Sequence, residues 1–270
     1  MMNVLPQIGI RDLRISRIAL GGNPISGFSH QSLQRDRQMV DYFTVGNIKK
    51  LFRDCEAQGI NTLVGRADAF LRRVLNEYWK EGGAIQWIAQ TAPELKDQVQ
   101  NIRNAHAWGA RAIYIHGGMV DEYWEGGRRD EIRRLVDEIG ELGVPAGLAS
   151  HNPAVILEVE DSGWPLDFYL VSLYNLKGYR GRIGDELREE FDDRCRIPAL
   201  KAIQQVTRPC LAYKILGAGR QEPKSAMMEV FNYLKPSDGV VVGMFPNDNP
   251  QMVVENAALV RELSPRTKAL

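Results

Sequence analysis

The sequence predicts an α/β chain folded as a (β/α)8, or TIM, barrel. Two observations point there: eight short apolar runs, and segments of helical period lying between them. Strands that alternate with helices pair in parallel, and eight such units exceed what an open doubly wound sheet usually holds. A length of 270 residues suits one large core, so residues 1–270 are read as a single domain.

Taken in order, the first strand is SRIALGG (16–22), which runs into an unusually long loop over 21–46. Loops of that length on a compact domain are often lids or binding segments, and Phe28, Tyr42 and Phe43 are placed to cover a small substrate. An amphipathic helix follows, with Ile48, Leu51, Phe52 and Cys55 on one face. INTLVG (60–65), IQWIAQT (85–91) and AIYIHGG (112–118) are the next three strands. Ile132, Leu135, Val136 and Ile139 mark another helix of the same period. The second half supplies PAGLASH (145–151), DFYLVSLYN (167–175), PCLAYKILG (209–217) and GVVVGMF (239–245). Turn signals such as QGIN, WGAR, LGVPAG, TRPC and PSDG introduce these runs.

Composition narrows the partners. Lys plus Arg and Asp plus Glu number 34 each, so no net field favours nucleic acid or an anionic membrane. Cys55, Cys195 and Cys210 have neither metal-site spacing nor the even count of a disulfide framework, which suits a reducing compartment. The first residues lack an apolar leader region, and no apolar run approaches the length of a membrane span. The expectation is a cytoplasmic protein acting on a small molecule, with oligomerisation left open.

In this fold the active site lies at the C-terminal ends of the strands. Those ends carry Asn23, Arg66, Gln90, His116, Ser150 with His151, Tyr174 with Asn175, Lys214 and Gly243. So many polar side chains at buried strand ends need partners or a ligand, because an unpaired buried polar group costs free energy. His116 and His151 are candidate acids or bases, and Lys214 is a candidate base or Schiff-base amine. Strand alternation places Tyr213 and Lys214 on opposite faces, unless the strand has already ended there. Arg66 is read as a clamp for a carboxylate, a phosphate or vicinal oxygens. The loops GAGR (217–220) and GMFPNDNPQ (243–251) stand where this fold often holds a phosphate, with Gly219 and Arg220 as the contacts. The plainer alternative for GAGR is a turn with a solvated arginine. His30, His116 and His151 form the one candidate metal set, with Asp68 and Asp121 as nearby acids; no HxH or HExxH spacing accompanies them.

These strand ends, read together, resemble the aldo/keto reductases. LRISRIALGGNPISG is similar to the family's first strand and loop, and CEAQGINTLVGRAD to its A-x-x-x-G-I-N-x-x-D-T-A-x-x-Y segment. AIYIHGG, GLASHN, DFYLVSLYNL, LAYKILGAGR and VVVGMFPNDNPQMVVENAALV resemble later segments in the right order, the last including the Glu255–Asn256 pair. The resemblance implies the barrel fold and carbonyl reduction by a nicotinamide cofactor, with an Asp, Tyr, Lys and His group around the substrate oxygen. Here the aspartate position falls on Val64, the tyrosine position on Ala69 and the lysine position on Gln90 or Thr91; His116 alone remains. Tyr213 matches the aromatic that stacks on nicotinamide, while the basic residues expected near NDNPQM for a 2′-phosphate are missing.

The functional expectation is therefore an enzyme acting on a small oxygen-rich metabolite, sugar-like or carboxylated, by acid/base chemistry of the isomerase, epimerase or lyase kind. His116, Lys214 and His151 carry the proton transfers. Asn23, Arg66, Gln90, Tyr174, Asn175, Tyr213, Gly219 and Arg220 bind. Two alternatives stand beside it: an NAD(P)-dependent oxidoreductase with a non-standard site, and a non-catalytic protein that binds a metabolite. The sequence does not fix a cofactor; NAD(P) and a divalent metal are both options.

Overall fold

A computed structural model describes residues 5–177 and 190–264, with side chains described outside 175–193. The chain opens with an antiparallel hairpin, β1 (Gln7–Ile10) and β2 (Leu13–Ser16). Then come β3 (Ile18–Gly21), β4 (Thr62–Arg66), β5 (Gln86–Gln90), β6 (Ala112–Ile115), β7 (Ala146–Ser150) and β8 (Phe168–Ser172). A short antiparallel pair, β9 (Asn175–Lys177) and β10 (Glu190–Asp192), precedes β11 (Cys210–Tyr213) and β12 (Gly239–Gly243). Strands β3 to β8, β11 and β12 close into one parallel barrel in chain order, each of the eight expected strands taking its place. Buried on both sides, they are near-continuous apolar runs for the reason parallel strands usually are.

Ten helices surround the barrel among the described residues: α1 (Leu33–Tyr42), α2 (Val45–Ala57), α3 (Ala69–Lys80), α4 (Gln98–Ala107), α5 (Gly117–Glu125), α6 (Arg129–Glu141), α7 (Pro153–Asp161), α8 (Arg196–Gln205), α9 (Pro223–Phe231) and α10 (Met252–Leu263). Their buried stripes are those of the sequence pattern, such as Ile48, Leu51, Phe52 and Cys55 on α2. Polar side chains close their first turns: Asp68 accepts from the Leu71 amide at 2.8 Å, and Asn152 from the Ala154 amide ahead of Pro153.

The core has two layers. One lies between strands and helices; the other fills the barrel, where Ala19, Val64, Ile88, Tyr114, Ala149, Leu170, Leu211 and Val241 meet. The β1–β2 hairpin seals the N-terminal end, placing Ile8, Ile10, Leu13 and Ile15 in that inner layer. It turns at Arg11, whose φ is 52°. Near the opposite end, β3 and β4 come so close that a Cβ on Gly22 would lie 3.0 Å from the Cα of Gly65. Only glycine permits that approach.

Several boundaries differ from expectation. The long 21–46 loop contains α1, capped by Ser32. AIYIHGG stops being a strand at Ile115, because His116 caps α5. DFYLVSLYN leaves the barrel after Ser172, and PCLAYKILG after Tyr213.

Candidate active site

The inner face of the barrel ends in a polar layer above its apolar filling. Alternation puts Tyr114 on the inner face of β6, and its hydroxyl donates to Gln90 Oε1 on β5 at 2.6 Å. One step higher, His116 leaves the strand and becomes the first cap of α5. Its backbone amide donates to Thr91 Oγ1 at 3.1 Å, and its Nδ1 accepts from the Met119 amide at 3.4 Å. An Nδ1 that accepts leaves the ring proton on Nε2. Burial, then the nearby His151, Lys214 and Arg66, pushes the His116 pKa down to about 3. His116 is thus a neutral ring at neutral pH, with Nε2 as its donor.

His151, one residue beyond β7, is the most completely framed group in the layer. Its Nδ1 lies 2.8 Å from Asp121 Oδ2, its backbone amide donates to both Asp121 oxygens, and Ser150 Oγ donates to the same carboxylate. On the other side of the ring, Nε2 lies 3.2 Å from the Tyr213 hydroxyl and 3.3 Å from Lys214 Nζ. Burial, followed by the Lys214 charge, lowers the His151 pKa against the opposing pull of Asp121. The ring is neutral at neutral pH, its Nδ1 proton is committed to Asp121, and Nε2 is a fixed acceptor. Burial, then the Asp121 charge, raises the Tyr213 pKa well above its ordinary value, so the phenol keeps its proton.

Two adjacent residues on one strand should not reach the same atom. They do here because Lys214 adopts φ 59°, the left-handed region, which ends β11 and swings the lysine back over the barrel mouth. Gly117 completes the enclosure: a Cβ there would sit 3.0 Å from the Tyr213 hydroxyl and 3.3 Å from His151 Cε1. Asp121 is the functional group whose role sequence reasoning missed. It lies on α5, which packs on β7, and that helix was not expected.

The remaining candidates divide. Arg66 stands at the rim, 13% exposed, with Nε 3.4 Å from Asp68 Oδ2, a second bond to Glu94, and the Phe28 ring 5.4 Å from its Cζ. Asn23 Nδ2 and His30 Nε2 lie 3.0 Å apart. Tyr174 is 1% exposed, and its hydroxyl accepts from Arg196 Nη1 at 3.1 Å. The side chain of Asn175 lies outside the described residues.

In the GAGR loop the amides of Gly217, Gly219 and Arg220, and of the following Gln221, all donate to carbonyls at 214–217. Gly219 therefore offers no outward amide. Arg220 donates to the carbonyls of Gly217 and His30, and Gln31 donates to that of Ala218. Tyr42 and Phe43, expected over a substrate, pack with Phe245 at centroid distances of 5.1 to 5.6 Å. Among the described residues, no group of three His, Cys, Asp or Glu side chains is arranged to hold a metal ion, so His30, His116 and His151 do not converge as ligands. No helix among those residues is long and apolar enough to cross a membrane.

No protein-family model and no curated protein matches the sequence. Solved structures do. A protein from Pseudomonas aeruginosa classed as an aldo-keto reductase superposes with a TM-score of 0.62 at 15% identity, covering 96% of this chain and 94% of its own. An aldo-keto reductase from Bacillus halodurans, in its holo form, gives a TM-score of 0.58 at 10% identity over 97% of both chains. The barrel is aldo/keto-reductase-like. An N-acetylmannosamine-6-phosphate 2-epimerase from Clostridium perfringens is also similar, with a TM-score of 0.51 at 10% identity, covering 79% of this chain and 86% of the epimerase. At these identities the likeness concerns fold alone.

The reductase-like fold invites a nicotinamide, and the residues present do not fit its chemistry. Val64 is buried in the barrel beneath Arg66, and Ala69 is the exposed first residue of α3. Neither can donate or tune a proton. Tyr213, whose ring would have to lie beneath the cofactor, is tied through its hydroxyl to His151 and walled by Gly117. No basic residue stands at 247–252, and Asp248 there is paired with Arg35.

Proposed function

We propose that this chain is an enzyme that moves a proton on carbon next to a carbonyl group of a small oxygen-rich metabolite. The observation that supports it is one constellation: Asp121 holds His151 so that Nε2 faces the Tyr213 hydroxyl and Lys214 Nζ. A substrate that displaces one of those donors meets a neutral base at Nε2. The imidazolium formed on proton abstraction is stabilised by the Asp121 carboxylate behind it. The negative charge that develops on the substrate oxygen needs donors beside the base. His116 Nε2–H, Tyr213 and Lys214 are the groups at hand. A neutral histidine donates without first losing a charge, and burial keeps His116 in that state. Arg66, fixed by Asp68 and Glu94, is a positive rim group for a carboxylate or clustered hydroxyls.

Solvent deuterium reports this step whatever the final product is. Hydroxyketones, aldoses and 2-oxo acids are incubated with the protein in D2O and followed by proton NMR. The expected result is enzyme-dependent exchange at the carbon beside the carbonyl, slowed about a hundredfold or more in His151→Asn. Absence of exchange across all three classes, or exchange indifferent to His151→Asn, overturns the reading.

A further inference from the structure

We propose that Lys214 forms an imine with the carbonyl carbon of the substrate, so that proton transfer proceeds on a covalent adduct. This rests on the proton-transfer reading of the same site and replaces the hydrogen-bonded oxyanion of that reading with a covalent electron sink on Lys214. A carbon acid beside a carbonyl is weak, and abstraction by an imidazole needs a group that accepts the electron pair. A divalent metal can do so, but no three-ligand cluster exists among the described residues. A protonated imine does the same with a lysine alone.

Geometry places Lys214 for the task. It follows the last residue of β11, where alternation from the inward Tyr213 would send its side chain into the helix layer. Its φ of 59° cancels that alternation and brings Nζ within 3.3 Å of His151 Nε2. A non-glycine residue in this region is strained, and such strain persists where the surroundings enforce it, often at functional sites. Glycine would relieve the strain, and the chain carries a lysine.

The neighbours supply the protons. The Lys214 ammonium gives one proton to His151 Nε2, and Asp121 stabilises the imidazolium. The free amine adds to the carbonyl carbon, forming the C–N bond, while an amine proton reaches the former carbonyl oxygen. That hydroxyl departs as water with the proton held on His151, relayed through the Tyr213 hydroxyl that shares Nε2. The sum is one ammonium plus one carbonyl giving one iminium and one water, with no oxidant or reductant. His151, neutral again, then removes the proton from the adjacent carbon to give an enamine. Reversal with delivery from either face, or loss of a group beyond that carbon, gives epimerisation, isomerisation or lyase chemistry.

Reductive trapping tests this apart from turnover. The full chain is incubated with pyruvate or dihydroxyacetone and sodium cyanoborohydride, and the adducts are mapped by peptide mass spectrometry. One adduct per chain is expected, at Lys214, exceeding any other lysine about tenfold or more. Lys214→Arg should abolish it, Lys224→Arg should leave it unchanged, and His151→Asn should slow its formation. Unfolding curves of each variant check that the barrel is intact, and Lys214→Met serves if the arginine does not fold. No adduct with either probe, or label spread evenly over the lysines, overturns the imine. Deuterium exchange that survives in Lys214→Arg also overturns it while leaving the His151 reading standing. Loss of exchange in both His151→Asn and Lys214→Arg, with trapping confined to Lys214, supports both.

Discussion

In the proposed reaction Asp121, which is bonded to His151 and Ser150, acts through His151, so its removal should be distinguishable from the removal of a base. In Asp121→Asn the amide preserves volume but presents a donor as readily as an acceptor, so the Nδ1–H of His151 loses its fixed partner. Exchange in D2O should fall by about two to four orders of magnitude. The carboxylate also raises the His151 pKa, opposing burial and the Lys214 charge. Without it, the pKa moves further below the ordinary 6.5, and the acid limb of the pH–rate profile shifts to lower pH. NMR titration of the His151 Cε1 proton measures this directly. A merely structural role for Asp121 predicts weakened folding and no downward shift.

At the scale of elements, the site depends on segments that bridge strand ends. The loop after β3 is strapped to the loop after β11 by Gln31 on the Ala218 carbonyl and Arg220 on the His30 carbonyl. Arg35 on α1 pairs with Asp248 after β12 and lies against the Phe245 ring at 4.6 Å. Exposed ties of this kind are individually weak, typically about 0–1 kcal/mol. Arg220→Ala should therefore leave the melting temperature nearly unchanged and raise amide hydrogen exchange over residues 28–42 a few-fold. Unchanged exchange there would show that the aromatic contacts alone hold the segment.

The same scale explains what was legible in the sequence. All eight barrel strands could be read, because a parallel strand buried on both faces must be a continuous apolar run. The hairpin β1–β2 was missed: its strands have four residues each, and its turn uses Arg11 at positive φ in place of the usual glycine or asparagine. Helix α5 was missed because it opens on Gly117 and Gly118, and its cap is a histidine, outside the usual serine, threonine, aspartate and asparagine. With α5 hidden, Asp121 was an acid near the mouth with no assigned partner. Lys214 could be named, but its approach to His151 depends on a backbone angle that spacing does not encode.

For the whole molecule, fold and chemistry point in different directions, and the disagreement is itself measurable. The barrel superposes on an aldo-keto reductase along 97% of both chains. Yet the resemblance aligns Val64, Ala69 and either Gln90 or Thr91 with that family's acid, phenol and amine. Gln90 is instead bonded to Tyr114, and the amides of Gly217, Gly219, Arg220 and Gln221 donate to carbonyls of their own turn. A barrel tolerates such exchange because its packing lies in the strand interiors, while chemistry sits on the last residues and loops. Other residues at the tetrad positions therefore need not unfold anything. Titration of NADPH and NADH, followed by nucleotide fluorescence, should show no saturable change up to high micromolar protein. Saturable binding would mean that the loop after β11 opens from the 29–31 segment to admit a dinucleotide. In that case Arg220→Ala, which weakens the strap, should tighten binding, whereas an absence of binding in both proteins places the reaction outside nicotinamide chemistry.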